Sequence, residues 1–174
     1  MNVMIVVTHL LGTGHLRRAA TLARAFSEAG HRVLLVSGGV PVADLDHGAA
    51  RMLNLPPLKS DGVNFTRLLG QDGHAVDDAF LARRRDALLD ATREFSPQCL
   101  ITELFPFGRR ILRAEFRALL DAMRLQTPRP IMLASVRDIL APPSRPEKAT
   151  QTDQIIAEFY DAVLVHSDPD GTRL

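Results

Sequence analysis

Cysteine is almost missing from this chain of 174 residues: Cys99 stands alone, so no internal disulfide can form and a reducing cytoplasm is the default compartment. No apolar run approaches the roughly 20 residues that cross a bilayer, and the amino terminus lacks the basic and long apolar regions of an export signal. The expectation is a soluble cytoplasmic protein, with a peripheral position on the inner membrane face left open. Neither sign of charge dominates, and a net charge of +1 gives no general reason to expect nucleic acid. There is no internal repeat of about 20 to 50 residues and no low-complexity tract. No His/Cys cluster has zinc spacing, no Gly-x-Ser-x-Gly elbow occurs and no Gly-Lys-Ser/Thr follows a glycine loop. A structural zinc site, a serine-hydrolase elbow and a nucleoside-triphosphate P-loop are thereby excluded, and no metal ligands are assigned.

What the chain does have is 46% hydrophobic residues, enough for one good core, and its organisation starts at the amino terminus. Val3 to Val7 is an apolar run, Leu10 to His15 is rich in glycine, and Leu16 to Phe26 has helical periodicity. Gly30 then stands where a left-handed cap ends a helix, and Val33 to Val36 begins a second apolar, β-branched run. Two buried strands joined by such a helix make a right-handed βαβ unit. Farther on, 44–51 reads as weakly helical, 52–58 as holding a short strand before the Pro56-Pro57 pair, and 60–74 as a long loop with exposed Phe65, Leu68 and Leu69. Helical periodicity resumes from Val76 to Phe95 with the triplet Arg83-Arg84-Arg85 on a solvated face, and Pro97 ends it. Strands at 99–102, 131–136 and 162–166 alternate with helices at 110–125 and 150–160, the prolines of 141–146 making a loop. This alternation predicts an α/β fold: a Rossmann-like open parallel sheet with helices on both faces. The chain stops at Leu174 without a further helix, an abrupt end for such a sheet.

Ligands of open α/β sheets bind outside the carboxyl ends of the strands, so the residues there are the candidates. Gly12-Thr13-Gly14 is the expected cradle for an anion at a helix amino terminus. It matches two glycines of the dinucleotide fingerprint, but Arg17 takes the third position and Ser37-Gly38-Gly39 stands where a ribose-binding carboxylate belongs, which argues against a dinucleotide cofactor. His15, in the first helical turn, suits a general base or a phosphate donor, or else caps the helix start. Glu103, Arg137 and Asp138 follow the later strands directly and should ring the same crevice. His9 and His166 could approach it, His9 with a packed role equally open, whereas His31, His47 and His74 sit at turns, carry no partner pattern in the sequence and read as solvated. The Asp-x-Asp spacings at Asp44/Asp46 and Asp168/Asp170 read as incidental.

On the segments Thr8 to Arg18, Thr102 to Arg110 and Ser135 to Leu140, the chain resembles the amino-terminal domain of GT-B glycosyltransferases. The class it is similar to includes the enzyme that adds N-acetylglucosamine to lipid-linked muramyl pentapeptide, together with a bacterial branch of predicted transferases. In the peptidoglycan enzyme a second glycine precedes the histidine, so the resemblance does not name the acceptor. It implies that residues 1–174 are one acceptor-side domain, a fragment lacking the half that holds the nucleotide sugar and inactive alone. Partners would be a sugar or lipid-linked acceptor and, through the second half, a nucleotide sugar, with transfer independent of metal and of any cofactor. His15 would be the catalytic residue and Gly12, Thr13, Gly14, Glu103, Arg137 and Asp138 the binding residues. Two other readings stay open: a nucleotide-sugar hydrolase, and a non-catalytic module that captures a phosphorylated ligand.

Overall fold

A computed structural model describes residues 1–62, 67–137 and 146–167. Strand β1 (Asn2–Val7) is buried without exposure from Val3 to Val7, as a central parallel strand must be. It leads through the glycine loop into α1 (Gly14–Glu28) and then β2 (Arg32–Gly39). There follow β3 (Arg51–Ser60), β4 (Leu68–Leu69), α2 (Asp78–Phe95) and β5 (Cys99–Glu103). A turn of 3₁₀-helix at Arg110–Leu112 opens α3 (Arg113–Arg124), and β6 (Ile131–Arg137), α4 (Pro146–Phe159) and β7 (Ala162–His166) complete the order. The sheet runs β4-β3-β2-β1-β5-β6-β7, parallel except for the antiparallel β4 at one edge. β1 pairs with both β2 and β5, so the strand order reverses there, the position beyond whose carboxyl ends open α/β sheets bind their ligands.

Local signals set the helix ends. Gly30 adopts φ +84°, and the His31 N–H reaches back to the Phe26 carbonyl at 3.0 Å, closing α1 by a left-handed cap as its sequence predicts. Asp77 accepts from the Phe80 N–H at 2.7 Å to start α2, and Ser96 in the left-handed region ends it. Coverage of the two faces is uneven. Among the described residues α1 is the one helix on one face, packing Leu16, Ala19, Ala20 and Ala23 against Val3, Ile5, Val33, Leu35 and Ile101. α2, α3 and α4 pack Leu88, Phe95, Phe116, Leu119, Ile155 and Phe159 onto the other. Each such large side chain contributes about 1.5–3 kcal/mol by leaving water.

Several sequence expectations are corrected. Residues 44–50 form no helix, Asp44 taking a positive φ of 55° in a turn. β3 does not stop before Pro56-Pro57 but runs through them. A register shift between Ser37 and Gly39 of β2 falls opposite the pair, and a strand interior accepts proline at such an irregularity because no ladder N–H is missed. The 60–74 stretch contains β4, and Leu68 is buried rather than exposed, while Phe65 lies outside the described residues. α4 begins at Pro146, a residue suited to a first helical turn because its missing N–H would have no partner there.

The largest correction concerns Arg84. It is 0% exposed, with Nε donating to Glu115 Oε2 at 2.9 Å and Nη2 to Glu115 Oε1 at 3.0 Å. Its Nη1 donates to the carbonyls of Gly38, at 2.9 Å, and Pro56. One guanidinium therefore ties α2 to α3, β2 and β3, and the desolvation of both ions is offset by bidentate geometry. Gly38 is required beside it: a Cβ there would stand 2.3 Å from Thr8 Oγ1 and 2.5 Å from Arg84 Nη2.

Arg84→Met should leave Glu115 buried and unpaired and cost about 3–5 kcal/mol, read as a lower urea midpoint. Adding Glu115→Leu should restore most of that loss, and a single-variant effect within about 0.5 kcal/mol would show that the pair does not hold the helices. The buried Cys99 thiol is pushed up to about 11, by burial first and the Asp161 carboxylate second. Native protein at pH 8 should therefore react with a disulfide reagent only at the rate of opening, and stoichiometric labelling within seconds would contradict the burial.

Candidate active site at the strand switch point

Register puts the chemistry in one row. Glu103 at the end of β5 pairs with Ser135 of β6, and Ser135 pairs with Leu164 of β7, so these three share the face that α1 covers. His166, two residues beyond Leu164, returns to that face. From above, the first turns of α1 present His15 and Arg18, which are three apart and so project together.

The centre of the row is the Glu103 carboxylate, 1% exposed. His15 Nδ1 lies 2.9 Å from its Oε1, and Arg18 Nη1 donates to the same oxygen at 2.8 Å. Ser135 Oγ donates to Oε2 and in turn lies 2.9 Å from His166 Nε2. A carboxylate only accepts, so His15 presents Nδ1–H to it, and the neutral ring then carries its lone pair on Nε2. The His15 and Arg18 side chains remain about one-quarter exposed, at 24% and 23%, so Glu103 is sealed while its partners reach solvent.

Beside this row the glycine loop is open. Gly12 has φ +65°, which favours glycine, and a Cβ built on Gly12 or Gly14 meets nothing within 4 Å. Thr13 caps α1 without a side-chain hydrogen bond, and no acidic residue stands in the first turn. The first turn of the helix thus supplies no anion of its own to the positive end of α1. Arg17 is exposed and points its Nε to Thr13 Oγ1 at 3.4 Å, away from the sheet.

The segment after β5 closes the other side. Leu104 and Arg109 both take positive φ, 70° and 59°, and the Arg109 Nε donates to the Thr8 carbonyl. Burial holds the Arg109 guanidinium below its ordinary range, while the charge of Glu103 acts in the opposite sense. Non-glycine residues in the left-handed region cost of order 1–3 kcal/mol each and are retained where the surroundings demand them, often at functional sites. His9 is 6% exposed and packs inward, its Nε2 3.0 Å from the Val40 carbonyl and its Nδ1 without a partner. Gly39 makes room for it, since a Cβ there would lie 2.4 Å from the ring.

The structure therefore brings His15 and Glu103 into contact and leaves Gly12, Thr13 and Gly14 at the crevice mouth. Arg137 is exposed at the end of β6, opposite His166 in register, and Asp138 lies outside the described residues, as do Asp168 and Asp170. Arg18, Ser135 and Arg109 are not among the sequence-derived candidates. For Arg18 the signal was its i+3 spacing from His15, and for Ser135 its place at the strand end. Among the described residues no group of three His, Cys, Asp or Glu could hold a metal ion, and no helix is long and apolar enough to cross a membrane.

No protein-family model and no curated protein sequence matches this chain. Solved structures do. The Streptomyces sp. SF2575 glycosyltransferase SsfS6 superposes with a TM-score of 0.54 at 14% identity, over 95% of this chain and 49% of that one. MurG of Acinetobacter baumannii gives 0.54 at 9% identity, over 99% and 43%. The fold is that of one half of a GT-B glycosyltransferase. The chain thus spans about half the length of these neighbours. UDP-glucose 4-epimerase of Brucella ovis, solved with NAD, also superposes with a TM-score of 0.54, at 14% identity over 94% and 51%. The GT-B half and a dinucleotide-binding enzyme share this sheet, so the choice of chemistry rests on the site rather than on the fold.

Burial, outweighing the Val40 hydrogen bond and assisted by the charges of Arg109 and His15, lowers the His9 pKa from 6.5. The unfolded chain then takes up the His9 proton first, so this contribution to stability is complete above pH 6.5 and is lost as pH falls toward the lower folded value. Urea midpoints measured across that window should drop in the native protein and drop less in His9→Gln. Parallel profiles would contradict a buried, neutral His9.

Proposed function

We propose that this chain is the acceptor-side domain of a glycosyltransferase that uses a nucleotide sugar, with His15 as general base. The observation that carries the reading is the His15–Glu103 contact at the switch point, beside an open glycine loop. Glu103 holds one ring nitrogen by its N–H and leaves the other as a base aimed outward. This is the division of labour by which a carboxylate fixes the tautomer of a catalytic histidine and stabilises its imidazolium. An acceptor hydroxyl brought against His15 Nε2 would lose its proton as its oxygen attacks the anomeric carbon. The bond from that carbon to the nucleoside diphosphate breaks with the electron pair going to phosphate, and the imidazolium is discharged to solvent.

The nucleotide sugar would come from a second half, and transfer would need no metal because charge on the leaving diphosphate is met by helix amino termini and cations. Gly12, Thr13 and Gly14 would let the acceptor's polar or phosphorylated part approach the α1 amino terminus. A sugar or lipid-linked acceptor fits such an opening. Arg18 and the exposed Arg137 would supply positive charge around it. Glu103, sealed and already holding three donors, would act on His15 rather than touch substrate itself.

In an enzyme joining this domain to its donor-binding half, His15→Ala should lower kcat by about 10²–10⁴-fold. The fold should survive with a melting temperature lowered by only a few degrees, because Arg18 and Ser135 still donate to Glu103. Unchanged turnover would remove the general-base reading, and free sugar released without acceptor would move the assignment to hydrolysis.

A further inference from the structure

Ser135 and His166 lie behind Glu103, away from the face that His15 turns outward, and the reaction above assigns them nothing. We propose that His166 is a positioning residue which, through Ser135, orients the Glu103 carboxylate and so fixes the tautomer of His15. The proposal rests on the general-base reading for its effect on turnover, but its geometric content stands apart from it.

Hydrogen-bond direction carries the argument. The Ser135 hydroxyl has one hydrogen, and it is given to Glu103 Oε2. Whatever reaches Ser135 Oγ from His166 Nε2, 2.9 Å away, must therefore be an N–H. The chain runs one way, from His166 N–H to Ser135 O–H to Glu103, and each donor polarises the next. At the carboxylate this arrangement is unequal: Oε1 takes both His15 and Arg18, while Oε2 takes Ser135. Ser135 is 0% exposed and Glu103 1%, so water is a poor substitute on that side. Without the His166 donor, the Ser135 hydroxyl can turn, and the plane of Glu103 loses its anchor opposite His15.

The backbone is built to hold this arrangement. Leu104 N–H donates to the Ser135 carbonyl at 2.8 Å, extending the β5–β6 ladder one residue past Glu103. β7 is the edge strand and its last paired residue is His166, opposite Arg137. An edge strand that short would be secured by any packed side chain. A histidine there, with its ring nitrogen on a buried serine, does more than pack.

The test reads the tautomer of His15 directly, from imidazole ¹⁵N chemical shifts of the 174-residue chain. In the native protein His15 should carry its hydrogen on Nδ1. In His166→Ala and in Ser135→Ala the population should move toward the Nε2–H form that imidazoles prefer in water, and His166→Gln, which keeps a donor near the same place, should restore Nδ1–H. If the tautomer stays fixed while the melting temperature falls, His166 merely secures the edge strand and the proposal is overturned. If the native His15 itself lacks Nδ1–H, the His15–Glu103 pairing fails first. In the two-domain enzyme, His166→Ala should lower kcat about tenfold at unchanged KM, with His166→Gln near native. An inert His15→Ala would refute the general-base reading while leaving the tautomer result to decide the positioning role. If His166→Ala does not fold, Ser135→Ala removes the same link and decides it alone.

Discussion

A single buried carboxylate sets the terms for the carboxyl end of this sheet. Glu103 is almost without solvent, and an ionised group so placed is tolerable only when hydrogen-bond donors replace its water. They arrive from three directions: His15 and Arg18 from the first turns of α1, Ser135 from β6, and His166 behind Ser135 from β7. Moving any of these elements would strand the charge, so the angle at which α1 leaves the glycine loop is coupled to the register of strands that come 85 residues and more later. The same need that keeps the fold together fixes the imidazole. Stability and site geometry have one cause here.

A second buried ion steadies the other flank. Arg84 gathers α2, α3 and the ends of β2 and β3, and Gly38 and Gly39 are small because Thr8, His9 and that guanidinium press against them. Arg109, partly buried, adds another cation, tied to the Thr8 carbonyl just after β1. The loop from Thr8 to Thr13 is thus held at its root by the far side of the sheet, and at its exit by the Glu103 cluster. Between these anchors Gly12 and Gly14 stay uncrowded. A loop fixed at both ends and bare in the middle can receive a ligand without first losing much conformational freedom.

Periodicity and strand-end position made most of this legible beforehand. Val3 to Val7 could only be a buried strand, Gly30 could only end a helix cheaply, and the alternation through Ala162 to His166 left an α/β sheet as the one consistent arrangement. The rule that strand ends carry ligands put His15 and Glu103 in one crevice before any coordinates. What stayed hidden was tertiary. Arg84 stands four residues after Phe80 and four before Leu88, squarely in the apolar stripe of α2, yet a charge in a triplet of arginines reads as solvated unless its partner is known, and Glu115 lies on another helix. The β3 prolines read as a stop because the register shift that admits them shows only when β3 is laid against β2. Ser135 looked like any small residue in a buried strand, since only pairing with Glu103 gives its hydroxyl a purpose.

The crowding of Gly38 and Gly39 also bears on which ligand this switch point can take. In dinucleotide-binding sheets the end of the second strand carries the acidic residue that holds a ribose, and the cofactor lies across that strand. In this chain the same place is filled by its own Thr8, His9 and Arg84 side chains, and both glycines are needed merely to accommodate them. The uncrowded backbone is at Gly12 and Gly14 instead, next to an imidazole and two partly exposed or exposed arginines, Arg18 and Arg17. A ligand would therefore meet this domain end-on at the first helix rather than lie along β2. Under the proposed function, that is the approach a short polar or phosphorylated group would take if its reacting hydroxyl is to reach His15 Nε2 while the rest of the molecule stays outside, with the sugar donor supplied from a facing domain.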